Sequence, residues 1–374
     1  MNHGQCVLTQ LVNLVHRETL NRIVRKYGGD KKVRHFGCRQ QLICMVFAQL
    51  TWRDGLRSIQ DCLNARREQL FHLGFNKPVS KGTLADANES RDWRIWRDVA
   101  LTLIKKARQL YELSEFSDEV NHIVYALDST TIDLSLSLFP WARFRREKGG
   151  IKIHTQIELK HSIPIFIEVT EARMSDVKWL DRLVYEKNAI YVFDRGYIDF
   201  ARFLNIHEKD AFFITRAKSN ICFKRSRSIN SDYGKGISSD QIGHWARLSA
   251  RKNYPEKVRK IRAWDSETGK YITIFTNHLE LAPDLVSQLY HHRWRIELFF
   301  KWLKQNLRIK HFYGTSQNAV KTQIWTAIAT YVMVAIVHKM HHLTGDFHRT
   351  LQILNVYPFE RIVLCVKWLK KGSQ

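Results

Sequence analysis

The feature that most limits how this chain can fold is a run of short apolar segments between residues 122 and 218. "HIVYALDSTTIDL", "IKIHTQIEL" and "IPIFIEVTE" each read as strands. "DVKWLDRLVYEKN" then reads as a helix, "AIYVFDRGY" as a strand, "IDFARFLNIHEK" as a helix and "AFFITRAK" as a strand. Three strands followed by helix, strand, helix, strand is the pattern of a mixed α/β sheet.

The flanking segments have other textures. Residues 1–115 read as mostly helical and basic. "CRQQLICMVFAQLT" has helical period, with Leu42, Met45, Val46, Ala48 and Leu50 as candidate core. "SIQDCLNARREQLFHLGF" reads as one helix ending near Gly74 and Pro78, and a third runs on from a cap at Ser80 or Thr83. Two helices joined by a Gly- and Pro-containing loop resemble a helix-turn-helix, an arrangement shared with ordinary helical hairpins. Residues 219–281 hold polar loops and short strands such as "KVRKIRAW" and "KYITIFTN", which make a β-rich insertion. The expected division is therefore a helical domain over 1–115, a catalytic domain over 116–218 and 282–345, the insertion over 219–281, and a tail over 346–374.

Lys plus Arg number 60 against 36 Asp plus Glu, a net charge of +24 spread along the chain. That excess points to a polyanionic partner, nucleic acid before an acidic membrane surface. The six cysteines include no C-x-x-C pair, so no zinc knuckle or redox motif is readable, and scattered thiols suit a reducing cytoplasm. The N-terminus lacks the pattern of a signal peptide. The longest apolar run, "IWTAIATYVMVAIVH", is short for a membrane span and is expected to be a helix buried on a sheet.

Chemistry enters through "YHHRWRIELFFKWLKQ", residues 290–305, which reads as one helix. At ~100° per residue, Tyr290, Arg293, Glu297, Lys301 and Lys304 fall on one stripe, opposite Phe299, Trp302 and Leu303. A solvated charged face has the same appearance. Two aspartates are expected at strand ends, Asp128 in "YALDST" and Asp194 in "YVFDRGY", where side chains leave a sheet into a crevice. Asp133 competes with Asp128 but lies beyond the expected strand end. Two such aspartates with a helical glutamate can hold two divalent ions about 4 Å apart, and hard oxygen ligands suit Mg²⁺.

"YALDSTTIDL", "YVFDRGYIDF", "FFITRAKSN" and "YHHRWRIELFFKWLKQNLRIKHFYGTS" together resemble the insertion sequence 4 family of bacterial DDE transposases. The last stretch matches that family's Tyr-x2-Arg-x3-Glu-x6-Lys signature at Tyr290, Arg293, Glu297 and Lys304, and "HRWRIE" is close to the same run of the hairpin-forming Tn-five transposase. The resemblance covers roughly residues 120–340. It implies a ribonuclease H-like catalytic core carrying a β-rich insertion, and the 103 residues from Asp194 to Glu297 leave room for one. It implies that Asp128, Asp194 and Glu297 bind two Mg²⁺ ions, with Mn²⁺ able to substitute. Tyr290, Arg293 and Lys304 would hold phosphates near the transposon end; Arg216, in a position that resembles another family block, would touch them too, and Lys301 shares the face but lies outside the signature. A base flipped out of a hairpin would stack on an insertion tryptophan, Trp264 before Trp245, while Trp294 packs. The implied partners are double-stranded DNA, as terminal inverted repeats and target, and a second copy in a homodimer on DNA. No membrane is implied, and the location is the bacterial cytoplasm at the nucleoid. A non-catalytic DNA-binding derivative and a nuclease on the same core are the alternative readings.

Overall fold

The computed structural model describes residues 5–112, 122–145, 148–160, 163–229, 233–266, 268–307, 312–343 and 347–361. The division expected at 115, Cys365 and most of the expected tail lie outside the described residues. In chain order the first helices are α1 (Val7–Asn13), α2 (Arg17–Lys26), α3 (Cys38–Leu50), α4 (Leu56–Asn64), α5 (Arg67–His72), α6 (Lys81–Ser90) and α7 (Arg94–Glu112). Strands β1 (Val124–Leu134), β2 (Arg143–Arg145), β3 (Lys148–Glu158) and β4 (Ile163–Glu171) follow. Next come α8 (Asp176–Trp179), β5 (Ile190–Phe193), α9 (Phe200–Glu208), β6 (Phe212–Arg216), β7 (Phe223–Ile229) and β8 (Ile237–Trp245). The chain continues through α10 (Leu248–Asn253), β9 (Val258–Asp265), β10 (Lys270–Thr276), α11 (Pro283–His292), α12 (Arg295–Leu307), α13 (Gln317–Met340) and α14 (Phe347–Val356).

The chain forms two compact units. One comprises Met1–Glu115, Ile132–Ile151 and Lys301–Gln374; the other comprises Phe116–Thr131 and Lys152–Phe300. The first unit is built on α13, which is buried on every side from Ala319 to Val337 and packs against α7, α3, α6 and α1. A helix apolar all round belongs in a core. Its threonines fit there because the Thr326 and Thr330 hydroxyls donate to the carbonyls of Thr322 and Thr326, at 2.9 and 2.8 Å. The expected packing on a sheet is therefore corrected to packing on helices. By length and composition α13 could cross a membrane, but 94% of its most apolar window is buried inside the protein.

The helices before it are more broken than their sequence suggests. The expected helix from 80 onward is two, α6 and α7. Asn318, far along the chain, donates to the carbonyls of Asn88 and Arg91 at 2.8 and 2.6 Å and accepts the Trp93 N–H at 3.1 Å, taking the backbone groups a continuous helix would use. The expected second helix likewise divides into α4 and α5, and Gly74 follows them with a φ of +89°, a conformation glycine adopts without strain.

The second unit is organised by its sheet. Residues Val124–Leu127 of β1 run parallel to β5, which runs parallel to β6, in the register Leu127–Phe193–Thr215. On the other side β1 neighbours β3, which pairs β4. The order β4-β3-β1-β5-β6 is the mixed sheet that the segment order implied, ribonuclease H-like as the resemblance implied. The β-rich insertion does not stand apart from it. β10 pairs antiparallel with β6, and β9, β8 and β7 extend the same sheet. One core serves both parts: Phe203 stacks on Phe213 at 4.2 Å, and Trp245, Tyr254 and Phe275 of the insertion join that cluster.

Three local expectations are corrected here. β1 does not end at Asp128 but continues to Leu134, because the β-branched run Thr130, Thr131, Ile132 stays extended beside β3. The helix expected at 176 stops after α8 and a 3-10 turn at Leu180–Arg182; Tyr185 then folds back to donate to the Leu180 carbonyl. The stripe helix is two helices. At the junction the bonds tighten to i→i+3, from Arg293 N–H to Tyr290 and from Trp294 N–H to His291, both at 3.2 Å.

Candidate active site

Parallel pairing brings the two aspartates together. Leu127 and Phe193 are register partners, so the next residues, Asp128 and Asp194, emerge side by side where the β1–β5 ladder ends. Thr215 of β6 partners Phe193, which sets Arg216 next to Asp194 in the third strand. The tight α11–α12 junction carries Arg293 across this edge. One of its terminal nitrogens stands 3.5 Å from Asp128 Oδ2, and the other donates to Glu297 Oε1 at 2.7 Å. The Arg293 guanidinium also lies over the Tyr290 ring, 5.9 Å from its centre.

The electrostatics are those of a crowded acidic edge. Burial pushes the Asp128 carboxyl up to about 6. The Ser129 N–H, donating to Asp128 Oδ1 at 2.8 Å, and the Arg293 charge oppose that rise, while the charges of Glu297 and Asp194 add to it. Burial works against the Arg293 charge, but Glu297 and Asp128 hold it above the usual arginine range. Burial raises the Tyr290 phenol as well, with Arg293 and Arg216 opposing and Asp194 reinforcing. Asp128, Asp194, Glu297, Tyr290, Arg293 and Arg216 thus share one electrostatic neighbourhood.

Other candidates sit elsewhere. Lys301 and Lys304 lie further along α12, both exposed, among the residues grouped with the first unit. Trp264 is 46% exposed near the end of β9, its ring 5.1 Å from Tyr271, whose ring lies under the Arg262 guanidinium. Trp245 is core, as its contacts with Tyr254 and Phe275 require. Trp294 is 44% exposed and does not pack as expected. Asp133 is exposed on β1 beyond the β5 pairing.

Three carboxylates are the oxygen donors that a hard divalent ion takes. Among the described residues no three metal-ligating side chains stand close enough to hold one ion as they are. The Arg293 guanidinium stands between Asp128 and Glu297 and supplies positive charge there.

Reading the sequence missed two features. Beside Asp128 lies a cluster of Ser129, Lys152, His154 and Asp176; its signal was a Lys and a His two residues apart, and hence on one face of a strand. In the first unit a cleft of about 1190 Å³ is lined by Tyr27, Phe36, Phe75 and Trp93, by the cations Lys31, Arg34 and Lys77, and by the acids Asp86 and Asp92. Those three cations are exposed.

The chain matches the family model described as Transposase DDE domain over residues 121–333, and residues 3–76 match a Domain of unknown function (DUF4372). Among curated sequences it is similar to y4zB of Sinorhizobium fredii, described as a transposase: 29% identity over 295 residues, 76% of this chain and 79% of that one. It is also similar to a protein of Geobacillus stearothermophilus described as a transposase for insertion sequence element IS5377: 27% identity over 238 residues, 64% of this chain and 62% of that one. A Synechocystis protein described as a transposase for insertion sequence element IS4SA is 24% identical over 323 residues, 84% of this chain and 86% of that one.

Proposed function

The chain belongs to the DDE transposase family and is an enzyme that cleaves and transfers DNA strands, and we propose that it moves a bacterial insertion sequence by cut-and-paste through a hairpin at the element end. What supports this reading most is the pairing of Asp128 and Asp194 on adjacent parallel strands, with Arg293 spanning Asp128 and Glu297.

Family members use divalent metal ions. In this chain Asp128, Asp194 and Glu297 would hold two Mg²⁺ ions, or Mn²⁺ in their stead. Bound there, the ions would activate a water or a 3′-hydroxyl and stabilise the leaving oxygen. The protein's own part is positioning and charge. Arg293 neutralises Asp128 and Glu297, and its planar fork would suit a pair of phosphate oxygens when DNA is bound. Tyr290, buried against Arg293, donates its phenol proton to the same phosphate region. Arg216 contributes charge beside Asp194, and Lys304 and Lys301 supply point charges further along α12. Trp264 offers an open aromatic face for a flipped base.

Residues 1–115 act as the domain that reads the terminal inverted repeats, and the cleft with Lys31, Arg34 and Lys77 in its lining suits a phosphate backbone. The catalytic domain is 116–218 with 282–345, and the insertion is 219–281. Two copies act together, because two ends must be held at once, and they work on DNA at the nucleoid.

The test is incubation of purified protein with Mg²⁺ and labelled DNA carrying the element end and its flank, beside Glu297→Ala. A nick at the end followed by a hairpin, both absent from the variant, is the expected result. Binding without cutting in Mg²⁺ or Mn²⁺ would favour a non-catalytic DNA-binding protein, and cutting without joining would favour a nuclease.

A further inference from the structure

The family signature leaves unused the polar cluster that adjoins Asp128. Ser129 Oγ donates to Asp176 Oδ1 at 2.5 Å. The same oxygen lies 3.1 Å from Lys152 Nζ, which also donates to the Met174 carbonyl at 2.8 Å. His154, two residues along β3 from Lys152, shares its face. Its ring is fully buried and stacks on Trp179 at 5.3 Å. Thr170 donates its hydroxyl proton to the Glu171 carbonyl, so it accepts from His154 Nε2 at 3.1 Å. That fixes the tautomer and leaves Nδ1 bare, 3.8 Å from Asp176 Oδ1, too far for a hydrogen bond. The stacked histidine therefore walls the carboxylate in rather than bonding it.

Such a cluster is a poor way to gain stability alone. Lys152 is almost enclosed, and a partly buried ion pair returns little beyond what apolar packing would give. It does hold one residue from two sides. The Ser129 main chain donates to Asp128 Oδ1, and its side chain is tied to Asp176. Asp128 Oδ1 is thereby committed inward, and Oδ2 faces Arg293.

We propose that Asp176, held by Lys152, is a positioning residue that acts through Ser129 to set the direction of the Asp128 carboxylate before ions and DNA arrive. This rests on the reading of Asp128 as an ion-binding carboxylate. It assigns β3 and the start of α8 a part in the site. Outer partners of this kind orient ligands and change metal affinity by about 10- to 100-fold when removed.

The test measures Mn²⁺ binding without DNA, by the spectrum of the free ion, alongside melting temperature and the kcat and KM of end cleavage. Ser129→Ala removes only the hydroxyl link, Ser129→Thr restores it, and Asp176→Asn removes the charge while keeping the shape. Positioning predicts Mn²⁺ binding weaker by about 10-fold or more in Ser129→Ala and Asp176→Asn. It also predicts a lower kcat at unchanged KM for DNA, and recovery in Ser129→Thr. If Asp176→Asn does not fold, Ser129→Ala and Ser129→Thr still decide. Wild-type Mn²⁺ affinity in folded Ser129→Ala would overturn the proposal. Asp128→Asn is the control. If it loses Mn²⁺ while Ser129→Ala keeps it, positioning alone is wrong; if it keeps Mn²⁺, the assignment of Asp128 falls too.

Discussion

Replacing Asp128 by asparagine should stabilise the metal-free protein at neutral and alkaline pH while abolishing DNA cleavage. Burial is the main reason its carboxyl is raised to about 6 in the fold, against about 3.9 in an unfolded chain. The folded state therefore disfavours the ionised form. At 1.36 kcal/mol per unit the ionised carboxylate costs about 3 kcal/mol. The opposing pull of Arg293 is already part of that raised value, so the expected gain from asparagine is at most about 3 kcal/mol. The sign follows from the raised pKa. The stability that comes from holding the proton is full below about pH 4 and is lost as pH rises through about 6. The two proteins should thus melt together in acid, diverge between about pH 4 and 6, and keep a constant gap above that. Melting in a chelator across this range reads the gap at about 2 °C per kcal/mol. Added Mg²⁺ should raise the wild type and leave the variant unmoved. A variant that melts lower than wild type at about pH 8, or a gap that ignores pH, would refute the burial argument.

Other outcomes follow from the same geometry. Arg293→Lys keeps the charge but loses the planar fork, so end cleavage should fall about 100-fold in single-turnover assays while the fold survives. Trp264→Ala should change the melting free energy by no more than about 0.5 kcal/mol, because the ring is exposed. It should still lower the ratio of hairpin to nicked product about 5- to 150-fold, the worth of one stacked base. Reversing Lys31, Arg34 and Lys77 to glutamate should weaken binding of end DNA. It should also flatten the plot of log affinity against log salt by about 0.9 per lost phosphate contact.

The central sheet was legible because its strands are short, apolar and separated by clear polar breaks. The insertion was legible for the opposite reason: its polar loops interrupt that texture. What a linear reading could not supply was pairing. That Asp128 lies beside Asp194 depends on β1 and β5 being neighbours in one particular register, and no local pattern encodes that. The break between α6 and α7 is similar, since the groups that divide them belong to Asn318. The stripe carried its acid, phenol and arginine to one place despite the break in its helix, because a turn of i→i+3 bonds keeps the chain coiling in the same sense. The Ser129–Asp176 link escaped notice because its partners are 47 residues apart and neither belongs to a recognisable motif.

Because β10 is bonded to β6, the insertion is a ruler fixed to the catalytic sheet. From β5 to β9 there are three strand spacings of about 4.8 Å, or roughly 14 Å across. Trp264 faces Tyr271, three residues from Ile274, which is paired with Arg216 at the level of Asp194. That adds roughly 10 Å along the strands, so the backbone positions of Trp264 and Asp194 are about 17 Å apart by sheet spacing alone. The graduation is coarse. Removing two facing pairs from the β9–β10 hairpin would shorten it by about 7 Å and keep Trp264 on its face, whereas removing one would turn the indole to the other side. If Trp264 takes the extruded base as proposed, relatives that differ in the distance from cut to base should differ here in steps of two.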